Sequence, residues 1–232
     1  MHDYDHVFIT PYPFFRIRSV TLNGTPASVF EETVRYEDQP DDFDEIIKRR
    51  GQPISWQYIH KALAPDVAKL KFYRAVWLLS CIGFQERADF SLQKKILEYC
   101  EVNRIYLPED GALPAILHPL LKDFLLNFDG AEIFGWDELR EHSIELPLNA
   151  LEREETTIYL PQGATSSGLW AIHVPDPGVL ITSQFDGTEA LIAMTDNAFK
   201  IASPEQFLEI EKVDDQTYCD WLNPKEFFKR EE

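Results

Sequence analysis

The stretch VLITSQFDGTEALIAM, residues 179–194, decides the fold class of this chain. Asp186-Gly187 at its centre is a strong signal for a two-residue hairpin turn, and both flanks are rich in apolar residues typical of strands. Pairing across this turn places Ile181 opposite Ile192 and predicts a positive φ at Gly187. Both faces of the paired strands carry apolar side chains, so we expect the hairpin to be covered on both sides.

The region before this hairpin has helical rather than strand periodicity. Its clearest helix is predicted over residues 117–128, where apolar residues recur at the spacing of one helical face. We expect four of them to be buried, namely Leu120, Leu121, Phe124 and Leu125. Pro119 suits the first turn of this helix, and Gly130 is placed to end it in a left-handed conformation.

The order of the predicted elements indicates an α+β fold. A helix-rich N-terminal half is expected to pack with a small, mostly antiparallel sheet in the C-terminal half. No Gly/Ser-rich linker divides the chain, so residues 1–232 are predicted to form a single compact unit. Pro108 and Gly111 interrupt the helical run, which places a soft boundary near 108–114, between a helical part (41–107) and an α+β part (115–232).

Composition favours a soluble protein of the cytoplasm. No stretch approaches the roughly 18 consecutive apolar residues of a membrane span, and the first residues lack the basic and apolar parts of a signal peptide. Three widely spaced cysteines, Cys81, Cys100 and Cys219, are expected to be reduced and buried. We therefore expect a cytoplasmic location and no membrane partner.

Negative charge is concentrated in the second half of the chain. Residues 1–129 hold 19 acids and 15 bases, whereas residues 130–232 hold 21 acids and 7 bases. Such a field repels phosphate backbones and attracts basic proteins, so we expect no nucleic-acid binding and a basic protein as the partner. The alternative interpretation is that the acids only keep the protein soluble.

No motif in the chain supplies recognisable catalytic chemistry. Residues 163–168 are small and polar but lack the lysine and the spacing of a phosphate-binding loop, and no Gly-x-Ser-x-Gly occurs. Among the histidines only His2 and His6 have a four-residue separation, at a terminus that we expect to be frayed. The sequence therefore predicts no catalytic residue, no metal site and no cofactor.

A binding site is predicted where acids and aromatic residues coincide at loops or strand ends. Trp136 follows two glycines and could anchor a partner, while neighbouring acids would speed the encounter. The competing interpretation is that Trp136 closes the core. The candidate partner-binding residues are Asp129, Glu132, Trp136, Asp137, Asp186 and Glu189.

Two segments resemble known families. LPED at 107–110 and PLLKDFLLNFDGAEIF at 119–134 resemble the opening motif of the SUKH superfamily, although residues 111–118 stretch its spacing and its double glycine is absent. Many members of that superfamily are acidic bacterial immunity proteins that neutralise toxins. PGVLITSQFDG at 177–187 is similar to a bacterial family known only as a domain of unknown function, a resemblance that implies no activity.

Three functional hypotheses follow from the sequence. The first is a non-enzymatic cytoplasmic protein of an uncharacterised bacterial family that acts by protein binding. The second is a SUKH-type immunity protein that neutralises a basic toxin. The third is an enzyme whose site is assembled from scattered carboxylates, which a pair of carboxylates with perturbed pKa values would favour.

Overall fold

The computed structural model describes residues 4–18, 28–30, 33–35, 43–80, 88–152, 157–159, 165–184 and 187–213. The α-helices within these ranges are α1 (Phe43–Arg50), α2 (Trp56–Leu63), α3 (Lys69–Ser80), α4 (Phe90–Asn103), α5 (His118–Leu125) and α6 (Asp196–Ile201). The strands are β1 (His6–Pro11), β2 (Phe14–Ile17), β3 (Ser28–Phe30), β4 (Thr33–Arg35), β5 (Gly51–Ile54), β6 (Phe134–Trp136), β7 (Ser143–Glu145), β8 (Thr157–Tyr159), β9 (Thr165–Ser167), β10 (Ala171–Val174), β11 (Val179–Ser183), β12 (Glu189–Met194) and β13 (Glu211–Lys212).

A seven-stranded sheet dominates the fold. Its order is β13-β1-β12-β11-β10-β6-β7, and every neighbouring pair is antiparallel. Helices and an antiparallel sheet together confirm a mixed α+β protein. The predicted division into a helix-rich half and a sheet half is not clearly seen, because β1, near residue 6, pairs with both β12 and β13. Strand pairing between distant segments leaves no local signal in the sequence.

Helix α5 covers one face of this sheet, as its sequence pattern predicts. Leu121, Phe124 and Leu125 are fully buried, while Leu120 is half-buried against the same core. Pro119 lies in the first turn, where a missing N–H leaves no helical hydrogen bond unmade. A short 3-10 helix (Leu126–Phe128) follows, and Gly130 has the expected positive φ of 80°.

The hairpin of β11 and β12 has the predicted register, with Ile181 opposite Ile192. Its turn differs, because the Gly187 N–H donates to the carbonyl of Gln184 at 3.3 Å. The φ of Gly187 is not in the left-handed region. The expectation for Gly187 was wrong; Phe185 and Asp186 lie outside the described residues.

The same hairpin is buried on one face only. Val179, Ile181 and Ser183 alternate with half-buried neighbours along β11, and β12 follows a similar alternation. The expected cover on both sides is therefore incomplete among the described residues. Apolar residues occur on both faces of this hairpin, so the sequence pattern alone does not show which face packs against the helix.

Helices α2, α3 and α4 form a second core with side chains from β2. Trp56 and Phe72 are fully buried within it. Ser55 begins α2 by accepting the Tyr58 N–H at 3.1 Å, as a capping residue does. Helix α4 is capped by Asp89, whose carboxylate accepts the Leu92 N–H at 3.0 Å.

Hydrogen bonds join this helical core to the sheet and to the segment after α6. The Trp56 indole N–H donates to the Tyr12 carbonyl at 2.6 Å. The Glu209 carboxylate accepts the backbone N–H groups of Trp56 and Gln57 at 2.7 and 2.9 Å, and the Tyr73 hydroxyl donates to it at 3.0 Å. A carboxylate at the first turn of α2 satisfies donors that the helix itself leaves open.

The segment predicted as a soft boundary, 108–114, is bonded to the sheet. The Gly111 N–H donates to the Gly187 carbonyl at 3.1 Å, and the Leu113 N–H donates to the Leu169 carbonyl at 2.8 Å. Within the described residues, no helix combines the length and apolar character that a membrane span requires.

The structure describes one of the three cysteines and shows where His6 lies. Cys100 is a free, buried thiol, whereas Cys81 and Cys219 lie outside the described residues. His6 is not frayed, because it begins β1, pairs with Met194 and contacts Asp196 at 2.7 Å. In the part of the chain that the structure describes, no three His, Cys, Asp or Glu side chains are grouped as metal ligands are.

Candidate functional site

The acidic hairpin, residues 134–145, contains two of the predicted partner-binding residues and follows two others. Its strands β6 and β7 pair antiparallel, and β7 is the last strand at this edge of the sheet. Asp129 and Glu132 precede it with exposed side chains, while Trp136 is half-buried on β6. Within residues 129–145 six carboxylates accompany a single arginine, so this edge has a strong negative charge.

Asp137 organises the turn of the acidic hairpin from inside. Its side chain is buried, and one carboxylate oxygen accepts the backbone N–H groups of Glu141 and His142 at 3.0 and 3.3 Å. The other oxygen accepts the Nδ1–H of His142 at 3.0 Å. Burial alone would raise the pKa of Asp137, but these hydrogen bonds outweigh it and lower that pKa. Asp137 is thus a structural acid rather than a partner contact.

Arg140 supports the same turn in a strained backbone conformation. Its φ of 60° is uncommon for a residue with a side chain and costs about 1–2 kcal/mol. One guanidinium nitrogen donates to the carbonyls of Asp137 and Glu138 at 2.9 and 2.8 Å. Another donates to the Thr182 hydroxyl at 2.5 Å, on strand β11. These bonds fix the turn to the sheet and compensate for its strain.

Leu139 is the side chain that this rigid turn presents to solvent. It is 72% exposed, more than most other large apolar side chains of the described residues. Glu138 and Glu141 beside it and Glu145 on β7 are also exposed. The arrangement combines an apolar tip with surrounding negative charge, which suits recognition of a basic protein surface.

Sequence reasoning missed Leu139. A leucine inside the polar run Asp-Glu-Leu-Arg-Glu, between two short strands, predicts an exposed apolar side chain, because a turn gives it little to pack against. Trp136 was favoured instead because of its size. Its half-buried position on the sheet lies between the two interpretations considered for it, exposed anchor and closed core.

Glu189 lies elsewhere, at the start of β12, and is 1% exposed. One of its carboxylate oxygens accepts the Thr188 N–H at 2.9 Å, and the other has no hydrogen-bond partner. Burial raises the pKa of Glu189 to about 7, although the Thr188 hydrogen bond favours the ionised form. A carboxylate so enclosed cannot touch a protein partner, which corrects the prediction for this residue.

Tyr12 is the fully buried neighbour of Glu189. Its backbone N–H donates to the Thr188 carbonyl at 2.7 Å, and its hydroxyl donates to the Gly111 carbonyl at 3.2 Å. Burial, reinforced by the Glu189 carboxylate, raises the pKa of Tyr12 well above its ordinary value. The phenol therefore stays protonated and acts as a hydrogen-bond donor.

Glu109, half-buried, and His118, buried, are further titratable groups in or beside the 108–114 segment. Burial raises the pKa of the half-buried Glu109 to about 7, with Asp44 and Asp110 adding to the effect. Burial lowers the pKa of His118 to about 3, and the positive charge of Lys48 contributes. The imidazole is therefore neutral, and its Nε2 lies 3.0 Å from the Leu113 carbonyl.

The predicted site residues therefore do not form one surface. Asp129, Glu132 and Trp136 lie on or near the acidic hairpin, and Asp137 is buried within it. Glu189 is enclosed at another position of the sheet, and Asp186 lies outside the described residues. Proximity to aromatic residues in sequence identified the hairpin but could not distinguish exposed acids from buried ones.

Comparison with known proteins places the chain in a family. The model of the family described as Protein of unknown function (DUF2711) matches residues 1–223. Neither the curated proteins nor the solved structures include a match. The family match agrees with the resemblance of residues 177–187 to an uncharacterised family and leaves the SUKH resemblance unconfirmed. Because the match covers nearly the whole sequence, the chain belongs to the DUF2711 family.

Proposed function

We propose that this chain is a non-enzymatic cytoplasmic protein that binds a basic protein partner through the acidic hairpin. The observation that carries the proposal is the exposure of Leu139 on a turn held rigid by Asp137 and Arg140. A preorganised turn loses little conformational entropy on binding, so its contacts contribute more fully to affinity. The free, buried thiol of Cys100 supports the cytoplasmic part of the proposal, since few structural thiols stay reduced outside cells.

The parts of the acidic hairpin have different tasks in this proposal. Burying Leu139 in an apolar pocket of the partner would stabilise the complex by about 1.5–3 kcal/mol. Glu138, Glu141 and Glu145 are exposed and screened by salt, so they mainly raise the association rate. Trp136 and Phe134, half-buried on β6, would extend the apolar contact along the sheet.

Photo-crosslinking from the hairpin tip tests whether a partner docks there. A photoreactive amino acid at position 139, in cells that produce the protein, is expected to give one dominant protein adduct that mass spectrometry identifies. The matched control is the same amino acid at position 126, because Leu126 is 50% exposed but lies beyond α5. The absence of adducts from position 139, or identical adducts from both positions, would contradict the proposal.

Binding kinetics with the identified partner then separate the apolar anchoring by Leu139 from the electrostatic attraction by the exposed glutamates. Leu139→Ala is expected to raise the dissociation rate about tenfold or more, since about 1.4 kcal/mol corresponds to a factor of ten. A triple variant with glutamine at positions 138, 141 and 145 should slow association and flatten its salt dependence. Equal rates for both variants and the unaltered protein, measured by surface plasmon resonance, would rule out this surface.

The immunity-protein hypothesis is a narrower form of the same proposal. The exposed acids Asp129 and Glu132 and those of the hairpin would suit a basic toxin. The crosslinked partner decides between the two: a secreted nuclease-like toxin supports an immunity role, whereas an endogenous basic protein supports the broader proposal.

An enzyme is the second candidate function, and one observation favours it. Glu109 and Glu189 both have pKa values raised by burial to about 7, the range suited to proton transfer at neutral pH. The test is a panel of chromogenic ester, phosphate and glycoside substrates, with Glu109→Gln and Glu189→Gln as controls. Turnover that both substitutions abolish would support catalysis, and turnover that neither affects would exclude these two carboxylates.

A further inference from the structure

Strand β7 forms one open edge of the seven-stranded sheet. It is the last strand in the order and pairs with β6, and no other strand of the described residues pairs with its outer side. An open edge presents N–H and C=O groups that another extended chain can bind. The opposite edge strand, β13, is two residues long, and its Glu211 is ion-paired with Lys69. The β7 edge is therefore the better template for an added strand.

The hydrogen bonds that flank β7 show which of its backbone groups face outward. The Asp137 N–H donates to the His142 carbonyl at 3.2 Å, and the Leu146 N–H donates to the Ile133 carbonyl at 2.7 Å. Hydrogen-bonded pairs alternate with non-hydrogen-bonded pairs along an antiparallel ladder. Of the three pairs between these two, only the middle one, 135 with 144, is therefore hydrogen-bonded.

Ser143 and Glu145 consequently direct their N–H and C=O groups away from β6. None of the described residues forms a hydrogen bond with these four groups, and both residues are exposed. In an antiparallel ladder, each residue with outward groups exchanges two hydrogen bonds with the residue opposite. The edge thus offers an incoming strand up to four backbone hydrogen bonds.

The side chains of β7 define which residues the added strand should carry. Ile144 is half-buried against the core on one face of the sheet, and its position in the ladder brings a facing side chain close, so an apolar residue fits opposite it. Glu145 lies on the other face, and Glu138 and Glu141 of the adjoining turn add to its negative charge. Lysine or arginine on that face of the added strand complements this charge.

We propose that β7 binds an extended, basic segment of the partner as an eighth, antiparallel strand of the sheet. The segment carries an apolar residue with lysine or arginine on both sides, because strand side chains alternate between faces. A second copy of this chain does not fit, since each copy has six carboxylates and one arginine within residues 129–145. The inference rests on the proposed binding role of the acidic hairpin and specifies how the partner attaches.

Titration of the full chain with a synthetic peptide tests strand addition. The probe is a fluorescently labelled peptide, Lys-Val-Lys-Val-Lys with both ends blocked, and fluorescence anisotropy follows its binding. At saturation, hydrogen exchange measured by NMR should slow about tenfold or more at the amides of Ser143 and Glu145. Binding should weaken as salt rises, because the charges are exposed. A control peptide with glutamate in place of each lysine should bind about tenfold more weakly or not at all.

Proline at position 143 separates backbone recognition from charge attraction. Ser143→Pro removes one outward N–H and no hydrogen bond to β6, and edge strands tolerate proline, so peptide binding should weaken about fivefold or more. Ser143→Ala keeps that N–H and is the matched control. A peptide methylated at its lysine amide nitrogens keeps the charge and loses the donors. It should bind as weakly as Ser143→Pro does, and it gives a second measurement if that variant does not fold.

The outcomes keep this inference apart from the proposed function. Equal affinities of the unmodified and methylated peptides would overturn strand addition, as would failure of the unmodified peptide to bind. A partner captured from position 139 that binds Ser143→Pro and Ser143→Ala equally would also refute it, while leaving the docking role of Leu139 intact. Peptide protection of Ser143 and Glu145 without any capture from position 139 would support strand addition and contradict the docking role of Leu139.

Discussion

Replacing Phe124 with alanine is expected to lower the free energy of unfolding by about 3–5 kcal/mol, the usual cost of truncating a large aromatic residue in a core. Phe124 is fully buried in α5 and makes an edge-to-face contact with Phe128 at 5.3 Å between ring centres. It also contacts Phe207 at 5.8 Å, which connects the helix to the segment after α6. The substitution therefore leaves a cavity lined by two other rings.

Guanidinium denaturation followed by circular dichroism measures this loss as a shift of the unfolding midpoint. The matched control is Leu126→Ala, since Leu126 lies two residues further along and is 50% exposed. Its effect should stay within about 0.5 kcal/mol, as for most surface substitutions. If Phe124→Ala cost no more than the control, α5 would not cover the sheet as the structure has it.

Glu189 should make the protein less stable as the pH rises from about 5 to about 8, by about 3 kcal/mol relative to Glu189→Gln. Burial raises the pKa of this carboxyl from 4.5 to about 7. Below about pH 4.5 the Glu189 carboxyl is protonated in both the folded and the unfolded protein, so the folded state has its full stability. Between the two values the unfolded chain loses a proton that the folded chain retains, so unfolding becomes progressively more favourable.

The comparison with Glu189→Gln is necessary because other groups with shifted pKa values titrate in the same pH range. Glu109 has a pKa raised to about 7 and acts in the same direction, whereas the lowered pKa of His118 acts in the opposite one. Tyr12 is protonated throughout this range and contributes no slope. Chemical denaturation at constant ionic strength gives both stability curves. Parallel curves for the two proteins would show that Glu189 is not held in its protonated form.

Elements built from neighbouring residues could be predicted from the sequence. The apolar spacing along residues 117–128 predicted α5 and the burial of Phe124, because a helix turns the same face to the core every three or four residues. The apolar runs flanking Asp186-Gly187 predicted the pairing of Ile181 with Ile192, because strands joined by a short turn have one favoured register. Both interactions act over fewer than 20 residues and depend on local geometry.

The candidate site was predictable only in part. The concentration of acids and aromatic residues pointed to residues 129–137, and the exposed hairpin lies there. The exposure of Leu139 and the burial of Asp137 could not be inferred, because a carboxylate enters a turn only when nearby N–H groups converge on it. That convergence depends on the conformation of Arg140, which leaves no pattern in the sequence.

The sequence by itself determined that the chain combines helices with antiparallel strands, since hydrophobic period and turn residues act locally. Only the tertiary structure decided that β1 lies between β12 and β13, bringing residues about 180 positions apart into contact. The same pairing places Pro11 opposite Glu189, whose side chain is 1% exposed. Whether an acid is exposed or buried depends on what distant strands place over it, and the residues beside it in the chain do not carry that information.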